Sequence, residues 1–277
     1  MIHPVGAMHG RLSPPFEGRF QTFPALSWRD EFYAAAKVGL ASIEWIYEVP
    51  HEDDNPLRTD DGLAEMRTLM NETGVRVNSI CADYYMQSLL VVNGQRQPGM
   101  VEHLKWLLGR AAALNLWYVI LPCVDASSLK TAADASALKE ILHEVLPLAG
   151  QLNVEIHLET DLAPKDFVRL LQDMNDPFLK ANYDIGNSAS LGFDPDEELT
   201  LLGPWLGSVH VKDRVLNGAT VALGTGNADF PTCFRLIKAA GYARPFILQA
   251  ARGNVGEEIA WLGQNREFVE QQLAALS

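Results

Sequence analysis

Four side chains able to offer an oxygen or nitrogen donor recur at comparable places in the second half of the chain: Glu159 in HLET, Asp184 in NYDIGN, His210 in SVHVKDR and Gln249 in ILQA. Each lies in or just after a short run of apolar, β-branched and aromatic residues, the composition of a buried strand. Taken singly, each has an ordinary explanation. A strand histidine is commonly a hydrogen-bonded core residue, an aspartate beside Gly186 can organise a turn, and Glu159 can partner a helix N-terminus. Taken together, ionisable groups at the ends of consecutive buried strands are costly unless they share a partner, and one cation serves them all. Two carboxylates, an imidazole and an amide oxygen suit a single divalent ion, Mn²⁺, Mg²⁺, Co²⁺ or Zn²⁺, with coordination positions left for a substrate.

Other groups are placed to act beside such an ion. His157 precedes Glu159 by two positions and Lys212 follows His210 by two, so each shares a strand face with a proposed ligand. His9 ends the first strand-like run. A desolvated lysine next to a metal has a lowered pKa and can serve as a base or as a clamp on developing negative charge. His157 is equally explained as a satisfied interior histidine. Asn187 can orient a substrate hydroxyl. Arg11, Arg214 and Arg252 follow the first, seventh and eighth runs, where they are candidates to hold substrate oxygens or a phosphate, and GTGNADF at 224–230 offers backbone N–H groups for the same purpose.

The elements that must position these residues are legible as an alternation. Strand-like runs fall at 2–9, 41–48, 76–83, 117–123, 154–160, 179–186, 207–213 and 244–251. Amphipathic helical stretches lie at 29–39, 60–73, 99–114, 134–152, 164–174, 195–203, 230–240 and 255–273. Ser27 and Asp229 are in N-cap position, with Pro231 in the opening turn of the seventh helix, and Gly39 is placed as a left-handed stop. Eight strands alternating with eight helices close most simply into an α/β (β/α)₈ TIM barrel, read here as one domain over residues 1–277. An open doubly wound sheet shares the alternation, but no GxGxxG follows the first strand. Two long irregular stretches, 10–28 and 84–98, each follow a strand, which in a barrel puts them on the catalytic face as rim or lid.

Composition narrows the partners. The formal net charge of −13 repels a phosphodiester backbone, and no basic stripe offsets it, so nucleic acid is not an expected partner. No apolar run is long enough to cross a bilayer and the first residues lack a basic, then apolar, leader, so the expectation is a cytoplasmic protein with no membrane partner. The three cysteines are an odd number, far apart and without a CxxC pair, which disfavours a disulfide framework or a thiolate zinc site. The sequence leaves a homo-oligomer open.

The segments MHGRLSPP, EWIYE, HLET, YDIGN, HVKDR, GTGNADF and FILQA resemble the xylose isomerase-like barrel superfamily, in particular its sugar phosphate isomerase/epimerase branch, over essentially the whole chain. The resemblance implies one metal held by Glu, Asp, His and Glu from the last four strands, matching Glu159, Asp184 and His210. Gln249 stands where that pattern has a glutamate, and Asn187 stands near where it has a histidine. In the family's epimerases two glutamates work from opposite faces of an enediolate. A glutamine can ligate but cannot exchange a proton, so the departure favours one-base aldose–ketose isomerisation through a metal-stabilised cis-enediolate. On this reading Glu159 is the base, Lys212 steadies the enediolate, His157 is a further catalytic candidate, and the partner is a small carbohydrate. Alternatives are a lyase or hydrolase acting on a keto-sugar or glycoside through the same metal, and a barrel that binds sugar or metal without turnover. The endonuclease IV type of relative needs more histidines for a three-metal cluster, and the acidic charge opposes it.

Overall fold

The computed structural model describes residues 4–276. Its eight parallel strands are Val5–Met8, Ser42–Ile46, Arg76–Cys81, Tyr118–Cys123, Glu155–Thr160, Leu179–Asp184, Leu206–Val211 and Phe246–Leu248, called strands one to eight below. Each pairs with its neighbours in the chain, and strand one also pairs with strand eight, closing the barrel. The architecture is the TIM barrel expected from the alternation. All eight strand-like runs are realised, most of them shorter than expected, while the seventh begins one residue earlier, at Leu206. Residues 2 and 3 of the first run lie outside the described residues.

The outer helices follow from the apolar stripes. Trp28, Phe32 and Ala35 of the helix Trp28–Val38 are buried, as are Phe167, Leu170, Leu171 and Met174 of Pro164–Met174. At the usual worth of about 25 cal/mol per Å² of apolar surface, such faces are what hold the ring of helices to the sheet. Asp229 caps Phe230–Ala239 by accepting from the Thr232 N–H, and Gly39 stops the first helix with φ of 79°. Ser27 precedes that helix without a side-chain cap bond.

Several additions were not read from the sequence, among them short 3-10 turns and a hairpin that pairs Asp213–Arg214 with Thr220–Val221. A short helix, Ile185–Leu191, follows strand six directly, and a two-stranded hairpin pairs Val91–Val92 with Gln95–Arg96 inside the second long loop. Among the described residues no helix is long and apolar enough to cross a membrane, and Cys81, Cys123 and Cys233 are buried free thiols.

The barrel interior is unusually polar. Glu44, Ser79, His157, Asn182, Ser208 and His210 are all buried. Unpaired polar groups there would each be costly, so they are expected to satisfy one another, and they do.

Candidate metal centre and substrate cavity

Strand register delivers the triad. Asp184 on strand six lies opposite His210 on strand seven, and Glu159 stands near the end of strand five. One ligand atom from each of Glu159, Asp184 and His210 lies within 4.8 Å of the others. His210 Nδ1 is 3.6 Å from Glu159 Oε2 and 3.9 Å from Asp184 Oδ2. On its other side the ring donates from Nε2 to Glu44 Oε1 at 2.6 Å, while Glu44 Oε2 accepts from the Ser79 hydroxyl at 2.8 Å. With Nε2 committed to Glu44, the neutral ring would turn the Nδ1 lone pair toward two carboxylates, the arrangement of a metal-ligating histidine with its orienting acid.

The electrostatics point the same way. Burial raises the Glu159 carboxyl, and neighbouring Asp184 raises it further, to about 7. Burial lowers the His210 imidazole, but Glu44, Glu159 and Asp184 together overcome this and hold it up at about 9. Protons therefore occupy the cluster at neutral pH where a divalent cation would relieve the same crowding. The donor set of carboxylate oxygens and one imidazole fits such an ion.

Around the triad, Asn182 Nδ2 reaches Glu159 Oε2 at 3.1 Å and lies 3.2 Å from His210 Nδ1. Asn187 Nδ2 donates to Glu159 Oε1 at 2.7 Å, and the Asn187 backbone N–H donates to Asp184 Oδ1, so Asp184 also caps the short helix after strand six. Lys212 Nζ sits 3.5 Å from Asp184 Oδ2 and donates to Gln249 Oε1 at 3.1 Å. Gly186 permits this approach, since a Cβ there would lie 2.8 Å from the Lys212 Cγ. Gln249 in turn donates to Gln21 Oε1 at 3.1 Å, and Gln21 to Asp83 Oδ2 at 2.8 Å. A cavity of about 730 Å³ opens over these groups, in the size range of small-molecule sites. Glu159, Asn187, Lys212, Arg214 and Gln249 line it, and both long loops contribute, through Arg19, Phe20 and Gln21 and through Met86 and Gln87.

Other residues singled out in the sequence lie elsewhere. His157 is one layer below the mouth, stacked on Tyr118 at 4.1 Å, with Nδ1 engaged by Ser208 Oγ and Nε2 by Glu155 Oε2, each at 2.8 Å. Two residues of strand rise, about 6.6 Å, separate it from Glu159 on the same face. His9 is fully buried against Trp45 at 4.0 Å, and neither ring nitrogen has a hydrogen-bond partner. Arg11 donates to Phe20 O and Gln21 Oε1, and Arg252 to Gly10 O, Ser13 O and Phe20 O, so both tie the first loop together rather than face the cavity. In the loop 224–230 the N–H groups of Gly224, Gly226 and Ala228 all donate to the buried carboxylate of Asp213. These donors are already taken.

Sequence reasoning passed over Glu44, Asn182, Asp83, Glu48 and Arg19. A signal existed for two of them. Glu44 interrupts the apolar SIEWI run, and Asn182 precedes Asp184 by two positions on the same strand face. Glu48 and Asp83 close the second and third strand-like runs and lie just beyond the strands themselves, whereas Arg19 comes from the first long loop, whose path carries no such periodicity.

A family model described as Xylose isomerase-like TIM barrel matches residues 32–271. L-ribulose-5-phosphate 3-epimerase UlaE of Escherichia coli (strain SMS-3-5 / SECEC) is 24% identical over 259 residues, covering 89% of this chain and 90% of that protein. Among solved structures, a xylose isomerase-like TIM barrel protein from Mycobacterium smegmatis in complex with magnesium superposes with a TM-score of 0.72 at 19% identity, covering 99% of this chain and 98% of the other. D-allulose 3-epimerase from Methylomonas sp. in complex with D-allulose superposes with a TM-score of 0.70 at 18% identity, covering 98% of each chain.

Proposed function

The chain belongs to the xylose isomerase-like TIM barrel family, and from that premise we propose that it is a metal-dependent isomerase or epimerase of a small carbohydrate, with Glu159 as its base. The observation that carries this is the convergence of Glu159, Asp184 and His210 within 4.8 Å beneath the cavity, with the imidazole oriented by Glu44. The relatives named for 3-epimerase activity on sugars support the same class.

Asp184 and His210 would hold a divalent ion together with Glu159. Gln249 Oε1 carries two lone pairs, of which Lys212 takes one, so the amide can complete the shell while it positions the ammonium. When bound, the ion supplies Lewis-acid polarisation of a carbonyl and its neighbouring hydroxyl, which acidifies the intervening C–H. Glu159, which lines the cavity, would remove and return that proton. Lys212, whose ammonium lines the cavity beside Asp184, would steady negative charge developing on a substrate oxygen. Asn187, bonded to Glu159, fixes which carboxylate oxygen faces the cavity.

With glutamine at position 249, one carboxylate rather than two is supplied by strands five and eight, which favours proton return on a single face and hence aldose–ketose interconversion. The test is deuterium uptake from D₂O into a panel of ketoses and aldoses with Mn²⁺ present. Label at one carbon is expected in the wild type and none in Glu159→Gln. Equal uptake in both proteins would end the assignment.

A further inference from the structure

We infer that the cavity is built for an uncharged polyhydroxylated ligand and disfavours phosphate esters of the same compound; the inference rests on the carbohydrate reading above only for the identity of the ligand. It begins from where the cationic and N–H donors point. The glycine-rich loop 224–230 follows strand seven, where a barrel of this kind commonly holds phosphate. Its three inward amides are consumed by Asp213, at 2.9 Å from Gly224, 2.8 Å from Gly226 and 3.1 Å from Ala228, and Asp213 is fully buried. A phosphate could recruit these donors only by displacing a carboxylate that has no route to solvent.

The arginines are equally committed. Arg214, the one that lines the cavity after strand seven, gives Nε and one terminal nitrogen to Gly218 O and the other to Asn187 Oδ1. Arg19 is paired with Glu48 at 2.7 Å. Arg11 and Arg252 spend their donors on loop acceptors. Each of these guanidinium groups already spends two or three of its five N–H donors on protein acceptors, so a phosphate would compete with those bonds for a clamp.

The field completes the argument. Five carboxylates line the cavity, Glu48, Asp83, Asp125, Glu159 and Asp161, against three cations, Arg19, Lys212 and Arg214, and Asp184 lies directly behind. A bound divalent ion offsets part of this excess and leaves the mouth no better than weakly negative. Such a surface repels a dianion on approach. Carboxylates and the amides of Gln21, Gln87 and Asn187 instead match hydroxyl groups, which both donate and accept, while Phe20, Met86 and Leu191 offer apolar surface for carbon-bound hydrogens.

The test is isothermal titration of the Mn²⁺-loaded protein with two pairs, L-ribulose against L-ribulose 5-phosphate and D-allulose against D-allulose 6-phosphate, with inorganic phosphate as competitor. Each free sugar is expected to bind about tenfold or more tightly than its ester, with no displacement by phosphate. Asp161→Asn, which removes one rim charge, is expected to narrow that ratio by raising ester affinity. Equal or tighter binding of an ester, or binding of neither member of both pairs, overturns the inference. Deuterium exchange is followed in the same samples. A free sugar that binds without exchanging would count against the proposed isomerisation and leave the ligand class standing.

Discussion

His210 on strand seven and Glu44 on strand two, 166 residues apart in sequence, meet across the barrel interior with Nε2 and Oε1 separated by 2.6 Å, both side chains fully buried. That bond fixes the imidazole by one nitrogen and aims the other at Glu159 and Asp184.

Removing the charge of Glu44 while keeping its shape should therefore weaken the metal site without touching a ligand. Glu44→Gln is expected to lower Mn²⁺ affinity by about 10–100-fold, the usual cost of losing an orienting partner. Titration followed by electron paramagnetic resonance reads this directly. An unchanged affinity would mean that the imidazole is oriented by Asn182 alone.

Metal uptake should depend on pH in a defined direction. In the metal-free protein His210 stays protonated up to about 9 and Glu159 up to about 7, so the ion must displace protons at neutral pH. Affinity is expected to rise as pH increases from about 6 to about 9, with proton release on binding. Calorimetry in buffers of different ionisation enthalpy counts those protons, and a count of zero at pH 7 would contradict the assignment.

Restoring a carboxylate on strand eight tests the one-base reading. In Gln249→Glu the new group stands beside Lys212, within the cavity lining. Epimeric products are expected to appear that the wild type does not form, as judged by chromatography of ketose mixtures. Activity found only in the variant would instead indicate a wild-type barrel that binds without turnover.

Asp213 is expected to be structural. Asp213→Ala leaves the partly exposed amides of Gly224, Gly226 and Ala228 without their acceptor, a loss of up to about 3 kcal/mol if each donor costs about 1 kcal/mol. Chemical denaturation measures it. A change below about 0.5 kcal/mol, the range of neutral surface substitutions, would show that water replaces the carboxylate freely.

His9 offers a stability measurement with a worked sign. Burial lowers its folded-state pKa from the usual 6.5 to about 3. As pH falls below 6.5 the unfolded chain gains a proton that the folded chain refuses, so stability is lost through the window from about 6.5 down to about 3. His9→Phe keeps the stacking on Trp45 and removes the titration. Relative to wild type the variant should gain up to about 1.4 kcal/mol per pH unit within that window. Parallel urea curves at pH 7 and 5 would expose a flat difference, which would show His9 shares a proton with Glu31, 3.8 Å away.

How far the sequence carried is clearest at particular residues. The alternation of short apolar runs with amphipathic stretches specified eight strands and the helices between them, because burial on both faces of a parallel strand and on one stripe of a helix imposes different periods. Strand ends in a closed barrel share one mouth, so Glu159, Asp184 and His210 were identifiable as neighbours from chain position alone. Depth and pairing were not. His157 and Glu159 point the same way and differ only by two residues of rise, yet that distance puts one against Tyr118 and Ser208 and the other at the cavity. Glu44 finds His210, and Asp213 takes the glycine-loop amides, through contacts set by barrel closure and loop path rather than by spacing. Periodicity fixes which face a side chain occupies; only the assembled barrel decides what stands opposite it, because that partner comes from a distant part of the chain.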